Sequence, residues 1–87
     1  MNPAELTEIL MDLPHRVHVL YGLEILEGSG SAMPPRIQIG KALRGYCVQL
    51  PLTTLVVNAT AESVRFQTPE LIVTINTQEY HVECGSL

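Results

Sequence analysis

Apolar residues recur along this chain first at helical and then at strand spacing. Leu6, Ile9, Leu10 and Leu13 fall at i, i+3, i+4 and i+7, one stripe of a short helix. Asn2 stands at a capping position, Pro3 suits the first helical turn, and Glu5 occupies the place of a capping-box acid. Glu5, Glu8 and Asp12 face away from the stripe. Pro14 disfavours helical geometry at Leu13, so the pattern predicts a helix over about 3–13.

The period then shortens to two. Val17, Val19, Tyr21, Leu23 and Ile25 alternate with Arg16, His18, Leu20, Gly22 and Glu24, which predicts one long strand with Gly22 at a bulge. Glu27 to Pro35 (27–35), with its Gly-Ser repeat and Pro34-Pro35, reads as a flexible loop. Residues 36–50 fit two patterns. Ile37 and Ile39, then Tyr46, Val48 and Leu50, alternate as two strands around a turn at 40–45. Ile39, Ala42, Leu43, Tyr46, Cys47 and Leu50 also form a helical stripe ended by Pro51. Two internal glycines would cost that helix about 1 kcal/mol each, so the hairpin is favoured. Thr53 to Ala59 is expected to be a short buried strand.

The last third alternates most regularly. Val64 and Phe66, then Leu71, Val73 and Ile75, then Tyr80, Val82 and Cys84 repeat at period two. Pairing across Pro69-Glu70 sets Phe66 against Val73 and Val64 against Ile75. Pairing across Thr77-Gln78 sets Ile75 against Tyr80, Val73 against Val82 and Leu71 against Cys84. Connections two residues longer keep the same faces buried, because parity is unchanged. The expected fold is α+β, mostly β: a short N-terminal helix plus five or six mainly antiparallel strands. They would form a small roll or barrel-like sheet ending in a three-stranded meander over 63–84. At 87 residues, 1–87 is expected to be a single domain.

Composition narrows the function classes. Apolar content of 46% excludes general disorder, while charged residues make up only 16%, against a typical value of about 25%. Leu20, Leu26 and Ile72 fall on otherwise polar faces. Few charges and these apolar positions favour a second buried face, hence self-association. Five basic residues in an acidic chain, no Trp and one Phe argue against nucleic-acid binding. No apolar run reaches the ~18 residues of a membrane span, and the first residues lack a cationic signal segment. The expected location is the cytoplasm, with Cys47 and Cys84 as buried thiols.

Charge is unevenly placed. Residues 1–27 hold five acids and Arg16, residues 28–61 hold no acid and three cations, and residues 62–87 hold four acids and Arg65. The middle segment therefore carries +3 between flanks of −4 and −3. Gly28, Ser29, Gly30, Ser31, Arg36, Lys41 and Arg44 form a candidate anion site. Glycine lets backbone amides approach an oxyanion, and arginine supplies a fork of donors. The segment matches no nucleotide fingerprint.

Other chemistry is thinly supported. His15 and His18, with His81 and Cys84, make two x-x-spaced pairs of zinc-ligand types. On extended strands, residues three apart point to opposite faces, so neither pair chelates without a turn, and these four form only a weak metal alternative. No serine has a nucleophile-elbow context, and both cysteines lie in apolar strand patterns where thiols are inert. No cofactor is expected. The sequence thus favours a small non-enzymatic interaction module, homo-oligomeric and binding another macromolecule as an inhibitor or adaptor does. The alternative is a binder of a small anion or nucleotide through 28–44. A metal-dependent or thiol enzyme ranks third.

Overall fold

A computed structural model describes residues 1–28, 33–41, 46–78 and 82–86, with Lys41, Tyr46 and Cys47 described by backbone alone. The described residues form two α-helices, a 3-10 turn and seven strands in two antiparallel sheets of three and four strands. This is an α+β fold, mostly β. The sheets are open, not closed into a barrel, and strands number seven where five or six were expected. Backbone contacts divide the chain into two compact units, Met1–Thr53 and Thr54–Leu87.

The first unit begins with α1 (Pro3–Met11). The Asn2 side chain accepts the Glu5 N–H at 2.8 Å and donates to the Glu5 carboxylate at 2.9 Å, closing a reciprocal cap. Leu6 and Leu10 are buried, and so is Leu13 just beyond the helix.

The next segment corrects the sequence expectation. Residues 15–21 are not a strand but a second helix, α2 (His15–Tyr21), followed by the short strand β1 (Glu24–Leu26). Val17 and Tyr21 are buried and Val19 is 61% exposed. Positions 17 and 21 share a face at period two and also at i, i+4, so those two residues do not discriminate. Val19 does, because a strand would bury it. Gly22 is no bulge. It ends α2 in the left-handed region (φ 50°, ψ 55°) with its N–H on the His18 carbonyl at 3.0 Å. Pro14 before and Gly22 after are the helix signals that the alternation masked.

Strands β2 (Arg36–Lys41) and β3 (Tyr46–Pro51) form the favoured hairpin, with β1 on the other side of β2. Register sets Ile25 against Ile37 and Ile37 against Leu50, and Ile39 against Val48. Ile37, Ile39 and Leu50 are buried. Arg36, Gln38 and Gln49 occupy the opposite, polar face. The turn itself, with Arg44, lies outside the described residues.

The second unit is a four-stranded meander: β4 (Val56–Ala59), β5 (Ser63–Gln67), β6 (Leu71–Asn76) and β7 (Val82–Ser86). The expected pairs Phe66–Val73 and Val64–Ile75 are present. Beyond β6 the register is longer by two: Ile75 faces Val82, Val73 faces Cys84 and Leu71 faces Ser86. Parity survives, so Val64, Phe66, Val73 and Ile75 are buried together. Each contributes about 1.5–3 kcal/mol of apolar burial.

Two further expectations are corrected. Thr53 to Ala59 is not a buried strand: Leu52–Thr54 is a 3-10 turn, Leu55 is buried, and β4 is a largely exposed edge. Cys84 is not a core thiol. It shares parity with Val73 but is exposed, because β7 lies at the sheet margin.

The turns use threonine where tight hairpins use Asn-Gly. Thr60 Oγ1 accepts the N–H groups of Glu62 and Ser63, and Thr68 Oγ1 accepts that of Leu71 at 3.2 Å. The buried Thr77 donates its hydroxyl to Ala61 C=O and its N–H to Glu62 C=O, tying the end of β6 to the β4–β5 turn.

Candidate functional site

Of the cationic segment, the structure places Arg36 and the Lys41 backbone, at the two ends of β2. Arg36 opens β2 opposite Pro51, with Leu26 on its other side. Its Nη1 donates to Gln49 Oε1 at 3.1 Å, and Gln49 Nε2 donates to Gln38 Oε1 at 3.0 Å. A ladder of amides therefore fixes the guanidinium on the polar face. The Arg36 Nε atom is buried and has no hydrogen-bond partner among the described residues. Lys41 closes β2 opposite Tyr46, at the other end of the hairpin. Five residues of strand separate their α-carbons by about 17 Å. Ser29, Gly30, Ser31 and Arg44 lie outside the described residues.

Gly28 has a packing reason of its own. A β-carbon there would stand 2.8 Å from the Pro34 carbonyl carbon and 2.9 Å from Pro35 N, and nearer still to the Met33 carbonyl oxygen. The chain passes so close to its own backbone that only glycine fits.

The histidine pair gains proximity from the corrected secondary structure. On a helix, His15 and His18 lie three apart on one side. His15 is exposed, whereas the His18 Nε2–H donates to the Leu10 carbonyl at 2.7 Å. That ring nitrogen ties α2 to the last turn of α1, where carbonyls lack helical partners. Its role is thereby accounted for within the fold. His81 lies outside the described residues, and Cys84 is exposed on β7. Among the described residues no three His, Cys, Asp or Glu side chains gather as a metal site. Nor is any described helix long and apolar enough to cross a membrane.

The remaining candidate is a surface that sequence reading placed in the core. Among the described residues, β4 is the margin of the second sheet and pairs only with β5. Val56, 55% exposed, projects beside an open groove of about 390 Å³ lined by Thr54, Val56, Gln67, Thr68 and Pro69. No residue from 45 to 61 is charged, so this edge and groove carry no ionic group of their own beyond the Arg65 opposite Asn58. The uncharged run was readable in the sequence. That it forms an outer strand was not.

Comparison with protein-family models, with curated proteins and with solved structures finds no match to this chain.

Proposed function

We propose that this protein is a non-enzymatic interaction module that works as a homo-oligomer and docks on another macromolecule in the manner of an inhibitor or adaptor. The observation that supports this reading is the uncharged, exposed margin of an open antiparallel sheet at Val56–Ala59. Such a margin presents backbone donors and acceptors to any extended partner. Exposed Met11 and Val19 add apolar surface on the helical side of the first unit. Sedimentation equilibrium tests the self-association. The expected mass is a multiple of the 9.6 kDa protomer. A protomer mass persisting up to about 100 µM, where an interface weaker than roughly 5 kcal/mol would be the best available, sinks the reading.

A second reading, capture of a small anion, has one observation in its favour. Among the described residues, the buried Nε of Arg36 has no hydrogen-bond partner although the Nη1 of the same group does. A buried donor without a partner costs about 1–3 kcal/mol, which an oxyanion would recover. Thermal unfolding in inorganic phosphate and in a nucleoside triphosphate decides it. Ligand at 100 times its dissociation constant adds about 2.7 kcal/mol, a rise of roughly 11–22 °C for a chain of this size. Equal shifts in wild type and Arg36→Ala, or none in either, remove the anion reading.

A further inference from the structure

Hydrogen-bond alternation identifies which backbone groups each sheet margin leaves outward. Thr60 N–H donates to Ser63 C=O at 2.8 Å, and Thr68 N–H donates to Leu71 C=O at 2.9 Å. These bonds fix the closely bonded pairs between β4 and β5 as 60 with 63, 58 with 65 and 56 with 67. Val57 and Ala59 therefore turn their N–H and C=O groups away from β5, toward the open edge.

The other margins are guarded. Leu52 N–H donates to Pro35 C=O at 3.0 Å, which makes 35 with 52, 37 with 50 and 39 with 48 the bonded pairs of the first hairpin. By the same alternation β1 has only Ile25 facing outward. On β3 the outward residues are 47, 49 and 51, and Pro51 has no N–H to give. On β7 they are Val82, Cys84 and Ser86, with Glu83 exposed among them. Twofold pairing of β7 sets Glu83 opposite or diagonal to its twin in a protein of net charge −4. Shortness, proline and charge are the usual guards of sheet edges, and β4 has no proline and no charge.

We propose that the edge of β4 is the self-association surface, and that its occupant is β4 of a second copy, antiparallel about a twofold axis at Asn58. The inference rests on the homo-oligomer reading above and specifies its surface. In this register Val57 exchanges both backbone hydrogen bonds with Ala59 of the second copy, and the symmetric pair repeats them. Asn58 meets Asn58 in the intervening non-bonded position, with α-carbons about 4.5 Å apart. Exposed Val56 falls opposite Thr60 of the second copy on the same face. No charged residue lies at any paired position, so self-pairing brings no like charges together.

The test uses the full chain and solution mass by sedimentation. Asn58 is exposed, so its side chain changes without disturbing a core. Asn58→Lys and Asn58→Glu each place like charges across the axis and are expected to weaken the dimer at least about tenfold. An equimolar mixture of the two is expected to recover dimer, because the axis then pairs opposite charges. Val57→Pro, which removes an outward N–H, is expected to give protomer. Circular dichroism confirms that each variant is folded, and the Asn58 pair carries the test if the proline variant is not. A wild-type protomer overturns both this inference and the self-association reading. A dimer that all three variants leave unchanged overturns the β4 edge alone. Weakening by both charges without recovery on mixing overturns the twofold axis at Asn58.

Discussion

Replacing Phe66 with alanine is expected to remove about 3–5 kcal/mol of stability, the largest loss from any single side chain in the second sheet. Phe66 is 0% exposed and sits in a central strand, flanked by Val57 on β4 and Val73 on β6. Truncation forfeits the transfer of the ring from water and leaves a cavity that rigid strands on both sides cannot close. A domain of this size has about 5–15 kcal/mol in total, so the variant approaches the threshold of folding. Urea unfolding followed by far-ultraviolet circular dichroism measures it. A loss under about 1 kcal/mol means that the ring is not enclosed as described. Phe66→Leu, which keeps most of the volume, is expected to lose far less.

The second large effect is expected at Gly28. Gly28→Ala should cost about 3 kcal/mol, although it adds a single methyl group to a surface connection. Its β-carbon would enter the space held by backbone atoms of residues 33–35. Two of those residues are Pro34 and Pro35, whose rings hold φ near −65° and limit how the segment yields. The steric account requires the loss with no ligand present, in the same urea experiment. A neutral Gly28→Ala in buffer, coupled to a weaker response to phosphate, would instead assign this glycine to an anion site. The two origins of a loop glycine are thereby separated by one variant.

Gly28 also illustrates the reach of sequence reading. Its place beside Ser29 and Gly30 suggests an approach to phosphate, and the structure adds a steric reason for glycine, a stretch of the same chain against it. Arg36 and Lys41 are five apart in sequence and were grouped by charge, yet β2 extends between them and holds them at opposite ends of the hairpin. Net charge by segment does not specify distance, because a strand spends about 3.4 Å on every residue.

Where two periods coincide, sequence alone misassigned the element. Val17 and Tyr21 satisfy an alternating strand and an i, i+4 helix equally. The deciding features were terminal: Pro14 ahead of α2 and Gly22 at positive φ behind it. The hairpin at 36–50 was resolved correctly for the complementary reason, since Gly40 and Gly45 would have sat inside the competing helix. In the turns, Thr60 and Thr68 bond the chain two or three residues on, a local competition between side chain and backbone that Asn-Gly turn chemistry does not include.

The sequence by itself determined the capped first helix, the β-rich class and the parity of the last three strands, including the Phe66–Val73 and Val64–Ile75 pairs. These are local properties: capping acts within a turn, and alternation fixes which side chains share a face however long the connection. Tertiary structure alone decided that β4 is an exposed margin, that Cys84 is uncovered, and that the Nε2–H of His18 serves the end of α1. Whether a strand is central or marginal, and whether a face is covered, depends on neighbours distant in sequence. No window along the chain contains them.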